Sequence, residues 1–194
     1  MKKIALACLC LALGWAGAAH GQADQKDSGI PDGLKSLKNP DPTVRYNSAA
    51  LLVQLGPVAK FAIPALHEAL KDTSPRVRVK VAEALWRVEG SAAAVLPVLR
   101  QALEDKNKGV RLYAAGVVNS MGEEARALLP ALTKRLRDRD ADVRTEAAKA
   151  LGALGPEARA AVPALAKRLR DRNADARREA AYALMRINRE GAGW

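Results

Sequence analysis

The chain has 194 residues, and beyond residue 10 it has no cysteine. Its two cysteines, Cys8 and Cys10, sit in the first apolar stretch. The rest can form no disulfide, no cysteine–zinc site and no thiol nucleophile, so its stability must come from packing. Aromatic residues make up only 4% of the chain, and Phe61 is the one phenylalanine. A core with so few rings is built from Ala, Leu and Val, which suits closely packed helices better than a sheet. Histidine is almost missing, with only His20 and His67. There is no glycine-rich phosphate loop, no nucleophile motif and no metal-ligand cluster. The carboxylates fall mostly in repeated turns, which is a structural placement. The sequence therefore predicts a non-enzyme with no catalytic residue, no cofactor and no metal.

Long apolar runs are also missing after the N-terminus, where charges recur too often for a membrane span. The N-terminus itself differs. Lys2 and Lys3 precede the uncharged run Ile4 to Trp15, and the small residues Ala16-Gly17-Ala18-Ala19 follow. This three-part pattern predicts a secretory signal peptide over residues 1–23, with cleavage after Ala19, Gly21 or Ala23. The expected location is periplasmic or secreted. Ala5-Leu6-Ala7-Cys8 has some likeness to a lipid-attachment box. It lacks the branched first residue, and the apolar run before it is too short, so lipid anchoring is disfavoured.

What the chain does have is a period. Val-Arg recurs at Val44-Arg45, Val77-Arg78, Val110-Arg111 and Val143-Arg144, with Ala176-Arg177 as a fifth copy. Proline keeps the same 33-residue step at Pro31, Pro64, Pro97, Pro130 and Pro163. Leucine follows it at Leu37, Leu70, Leu103, Leu136 and Leu169, and alanine at Ala49, Ala82, Ala115, Ala148 and Ala181. Such self-similarity is the mark of stacked supersecondary units. After a polar linker over 24–29, the predicted units are 30–62, 63–95, 96–128, 129–161 and 162–194.

Each unit reads as two helices. The first has a proline near its start, where a missing N–H costs little, and apolar residues spaced as in Ile63, Leu66 and Leu70. Residues 59–62 precede that proline and predict a kinked turn. The second helix is expected from about Thr43 to Leu55. Gly56-Pro57 and Gly155-Pro156 end it with a C-terminal glycine. Unit two reads Val88-Glu89-Gly90 instead, which predicts a different turn there. One hairpin cannot bury its apolar stripe alone, so neighbours must bury it for one another.

These columns resemble HEAT repeats, in particular the short bacterial type similar to the phycobilin-lyase HEAT-like family. Leu136-Arg137-Asp138-Arg139-Asp140-Ala141-Asp142-Val143-Arg144 carries the signature, and so does the stretch Ala147 to Gly155. The resemblance spans residues 30–194. It implies an all-α fold, a right-handed α-solenoid of five helical hairpins that binds other macromolecules along its surface. It also implies that second helices line the concave face.

The repeated Arg45, Arg78, Arg111, Arg144 and Arg177 are matched by a turn column of Asn39, Asp72, Asp105, Asp138 and Asp171. Acid in the turn and arginine at the next helix start suit a charge-assisted bond to turn backbone or to a neighbouring unit. This predicts structure rather than ligand binding. The columns that vary are what stacking does not require. On the second helices they supply Tyr46, Val79, Trp86, Leu112, Tyr113, Tyr182 and Met185, the predicted protein-binding groove.

Charge is uneven. Residues 126–194 carry sixteen Lys and Arg against nine Asp and Glu, with two near-copies at Lys134, Arg135, Arg137 and Lys167, Arg168, Arg170. An anion-binding patch is one reading. A solvated outer face at first-helix C-termini, where the helix dipole favours cations, is the preferred one. Interleaved aspartates and export both disfavour nucleic acid; an anionic envelope polymer stays open. His67-Glu68 resembles the His-Glu pairs of metal-dependent HEAT-like hydroxylases. The matching positions are Arg100-Gln101, Thr133-Lys134 and Ala166-Lys167, so the pair stands alone. The expected function is a non-catalytic scaffold of the cell envelope that holds a protein or peptide partner. The alternatives are a lyase-like or chaperone-like accessory subunit, implied by the resemblance, and a basic binder of nucleic acid or anionic polymer.

Overall fold

A computed structural model of the chain describes residues 34–189. Both flanks lie outside it, so the signal peptide, the linker and the last residues of the fifth unit fall outside the described residues. The described residues are helical, with no strand among them.

The chain divides into two compact units, which meet between Gly90 and Ser91. In the first, a short 3₁₀ turn at Ser36–Lys38 precedes α1 (Pro42–Leu55). A second 3₁₀ stretch, Gly56–Ala62, leads into α2 (Ile63–Ala69), and α3 (Pro75–Glu89) returns against α1 and α2. The second unit holds three hairpins: α4 (Leu96–Leu103) with α5 (Lys108–Met121), α6 (Leu129–Arg135) with α7 (Ala141–Ala153), and α8 (Val162–Arg168) with α9 (Ala174–Asn188). Within it α7 packs between α5 and α9. Each hairpin coincides with one 33-residue period.

The ends of the helices follow from their residues. Asp41 Oδ1 accepts the Thr43 amide at 2.7 Å and caps α1. Asn107, Asp140 and Asn173 cap α5, α7 and α9 in the same manner. Each satisfies an amide that the helix leaves unbonded. At the other end, Gly56, Gly122 and Gly155 have φ of 53°, 56° and 57°, a region other residues rarely adopt. Each starts a 3₁₀ stretch, and Ala59 and Ala158 kink two of them as the sequence predicts. Gly90 differs, with φ 72° and ψ 21°, a left-handed cap, and no 3₁₀ stretch follows it before α4. The variant Val88-Glu89-Gly90 ending thus makes a different turn, and the boundary between the two compact units falls there.

The core is aliphatic and small. Leu66, Leu99, Leu132 and Leu165 are fully buried on the first helices. Ala49, Ala82, Ala115 and Ala148 are sealed on the second helices, at 1% exposure or less. Small size is needed because backbones come close: a Cβ on Gly152 of α7 would stand 3.0 Å from the Cα of Ala183 on α9. Extra methyl groups have nowhere to go in such a seam. Ala115→Leu is therefore expected to destabilise the fold by about 1–3 kcal/mol. A thermal or urea melt checks this, and unchanged stability would contradict the close packing of α5.

Candidate protein-binding surface

The turn that joins the two helices of a hairpin is built around one side chain. Asp72 Oδ1 accepts the Ser74 amide at 2.8 Å, and Asn39, Asp105, Asp138 and Asp171 accept the amide two residues on in the same way. Asn and Asp make such turns because their side chains imitate a turn backbone. A second oxygen and the other lone pairs remain available, and arginine uses them. Arg45 Nε and Nη2 donate to Asp72 of the next hairpin at 2.6 and 2.9 Å, while its Nη1 donates to the carbonyls of Asn39 and Pro40. Arg111 repeats this with Asp138, at 2.8 Å for both bonds, and with the carbonyls of Asp105 and Lys106. Arg144 repeats it with Asp171, at 2.8 and 2.7 Å, and with the carbonyls of Asp138 and Arg139. Arg78 and Arg177 make the same Nη1 bonds to their own turns. Each of the three complete clamps closes one turn and ties it to the hairpin that follows, so the Arg and Asp columns are structural in both of the senses the sequence allowed.

The clamps are buried. The side chains of Arg111 and Asp138 are 5% and 3% exposed. Burial pushes the Asp138 and Asp72 carboxyls up, yet the bonds from Arg111 and Arg45 and from the turn amides pull both below the usual carboxylate value. For Asp171 the Arg144 bond dominates, and its pKa falls to about 2.

The second-helix positions do not form one continuous exposed row. Tyr46, Val79 and Trp86 belong to the first compact unit, and Leu112, Tyr113, Tyr182 and Met185 to the second. Val79 is a correction: at 0% exposure it is core, because the branched side chain points into the packed side of α3. Tyr46 is half-buried, with the Arg76 guanidinium 4.7 Å and the Lys80 amine 5.2 Å from its ring centroid. Trp86 is half-buried with Arg87 over its ring at 4.9 Å, and Leu112 and Tyr113 are half-buried too. Tyr182 and Met185 stand out, 53% and 66% exposed on α9. Tyr182 borders a notch of about 200 Å³ lined also by Asn119, Lys149, Gly152, Glu179 and Arg186. Gly152, which stands where Val53, Trp86, Asn119 and Met185 stand in the other copies, lines the notch and lets α9 approach closely at Ala183. Sequence reasoning noted that glycine in a varying column without reading it as a point of close helix approach.

Three of the six residues in the candidate basic patch already have partners. Lys134 pairs with Glu104 at 3.0 Å, and Arg135 and Arg168 reach the clamp aspartates Asp138 and Asp171 at 3.1 Å each. Arg137, Lys167 and Arg170 are exposed. His67 lies 3.6 Å from Glu89, and its neighbour Glu68 pairs with Lys38 at 2.9 Å, so the two do not act together. The exposed Val58 and Phe61, 75% and 41% accessible, went unread in the sequence. The other copies place Ala94, Ala127 and Ala160 at the Phe61 position, and that contrast was the available signal.

Two outcomes follow from the clamps. Arg111→Ala removes two of the bonds to buried Asp138 and leaves it Arg135 alone as a cation partner, which should cost about 3 kcal/mol in a denaturant melt. Asp171 titrates in the folded state at about 2, below its unfolded value of about 3.9. Its contribution, about 2 kcal/mol, is therefore full above pH 4 and disappears as pH falls toward 2. Stability measured across that window should fall with acid, and less steeply in Asp171→Asn.

Comparisons place the chain. The HEAT repeats family matches residues 30–118 and again 96–186. No curated protein matches in sequence. Among solved structures, the chain is similar to a designed armadillo repeat protein in complex with the peptide (KR)4, at 20% identity and TM-score 0.65, covering 83% of each chain. It is also similar to the complex of CpcE and CpcF of phycocyanin lyase from Nostoc sp., at 23% identity and TM-score 0.64, covering 91% of this chain and 71% of that one. An engineered protein matches at 23% identity and TM-score 0.63, with 81% and 78% covered. At such identities the structural likeness speaks for fold alone: all-α hairpin repeats of the α-solenoid class. With matched hairpins, clamps and period running through most of its length, the chain belongs to the HEAT repeat family.

Proposed function

We propose that the chain is a non-catalytic binding scaffold of the cell envelope that holds a protein or peptide on its second-helix surface. One observation carries this: Tyr182 and Met185, together with the notch over Gly152, stay open on a helix whose other side is sealed in the stack. A large aromatic and a flexible thioether beside a hollow are the side chains that binding surfaces favour. Lys149, Glu179 and Arg186 at the rim supply charges of both signs for orienting a ligand. The neighbours support this reading in kind, one being a repeat protein in complex with a peptide and the other a complex of two proteins. Envelope location rests on the Lys2-Lys3 start and the apolar run Ile4 to Trp15. The lyase-like alternative has fold likeness as its support and no observation of its own.

The test is an arrayed peptide library probed with the protein recovered from an envelope fraction, whose N-terminal residue also reports cleavage. The double variant Tyr182→Ala with Met185→Ala should lose at least tenfold in affinity for the selected peptides and melt at the parent temperature. Affinity unchanged in that variant would move the binding surface elsewhere.

A further inference from the structure

Asp138 and Asp171 each take one bond more than Asp72. All three receive an arginine fork and a turn amide. On Asp138 and Asp171, Oδ2 also accepts Nη1 of Arg135 and Arg168 at 3.1 Å. These two arginines are the last residues of α6 and α8. The last residue of α2 is Ala69, which has no donor to offer. Asp72 Oδ2 is therefore left with the Arg45 Nε as its one donor among the described residues. Ala69 is half-buried, whereas Ala102, the other alanine in this column, is sealed at 5% exposure.

A cleft of about 440 Å³ opens where that arginine is missing, with Asp72 and Ala69 both in its lining. Its volume falls among those of small-ligand sites, roughly 300–1,000 Å³. Leu37, Pro40 and Ala65 give it an apolar wall. The Asp72 side chain is only 6% exposed, and a charged donor counts for more at such a shielded carboxylate than at an open surface. The cations nearby do not bar another. Lys71 stands where Arg137 and Arg170 stand beside the two filled aspartates. Lys38 is met by Glu68 at 2.9 Å, and the same bridge with its signs exchanged joins Glu104 to Lys134. One more positive group would give Asp72 the surroundings that Asp138 already has. Residues 1–33 contain no arginine, so that segment does not supply a guanidinium.

We propose that the cleft over Ala69 binds a guanidinium group, carried by an arginine side chain of a peptide or by a free guanidino compound. The group donates to Asp72 Oδ2 as Arg135 donates to Asp138, and its alkyl stem lies along Leu37, Pro40 and Ala65. The site belongs to the first compact unit and is separate from the notch beside Tyr182 in the second.

The probes are N-acetyl-arginine amide and the heptapeptide Gly-Ser-Gly-Arg-Gly-Ser-Gly, titrated into the isotope-labelled full chain and followed by NMR. Saturable shifts are expected at the Asp72 carboxyl carbon and the Ala69 amide. Counterparts with citrulline, which keeps the shape of arginine and loses its charge, should bind at least tenfold more weakly. Ala69→Arg puts the chain's own guanidinium in the cleft and should weaken probe binding at least tenfold. Because the citrulline comparison leaves the protein untouched, it decides the matter even where Ala69→Arg disturbs the turn. Tighter binding of the heptapeptide than of the amide assigns the group to a peptide, and equal binding assigns it to a free guanidino compound. Absence of saturable shifts at Asp72, equal affinity for the citrulline probes, or undiminished binding to a folded Ala69→Arg chain overturns the proposal.

Discussion

A guanidinium leaves water at low cost only when its donors are met, and Arg45, Arg111 and Arg144 meet that condition in the same way, each by tying its own turn to the next hairpin. Arg111 does so with two carbonyls of its own turn and two oxygens of Asp138 in the next hairpin. One side chain thus fixes the turn and the register of its neighbour together. The carboxylate is prepared for the task, since its Oδ1 is already aimed by the turn amide of Asp140. Once turns are held in register, the alanine and leucine columns meet at one spacing. The close approach of Gly152 to Ala183 becomes possible because α7 and α9 cannot slide past each other.

Much of this was legible beforehand because a repeated requirement writes itself as a column. Arginine every 33 residues, with an acid in the preceding turn, allowed both a bond to turn backbone and a bond to the next hairpin, and both are made. Glycine before proline marked the ends of α1 and α7, and the departure at Gly90 marked the turn that differs. What a column cannot show is which side of a helix its varying members face. Val79 varies in kind and was assigned to the groove, yet it is buried, because a valine in a varying column is equally suited to core. The basic patch shows a second limit. Composition counts Lys134, Arg135 and Arg168 as free positive charge, whereas Lys134 pairs with Glu104 of another hairpin and Arg135 and Arg168 reach the aspartates three residues on.

The binding surface was legible only in part for a related reason. Packing constrains identity strongly, so its residues repeat, while recognition needs difference and leaves no period. Tyr182 and Met185 were found as departures from their columns and are exposed. Tyr46 was found in the same manner but lies half-buried between Arg76 and Lys80, whose cations cover its ring. Departure from a column therefore marks where a repeat is free to change. Whether that freedom serves a partner or a local contact is decided by what the neighbouring helix brings to the spot.

Electrostatics bears on the kind of function such a surface can support. Displaced pKa values often gather where acids and bases do chemistry. Here the resolved carboxyl shifts all run downward, at Glu68, Asp72, Glu104, Asp138, Asp140 and Asp171, and each has a lysine or arginine bonded to it. The strongest charges of the described residues are therefore committed to holding hairpins and helices in place. Shape, exposed apolar surface and a rim of mixed charge are means of recognition, and all three are present around Tyr182.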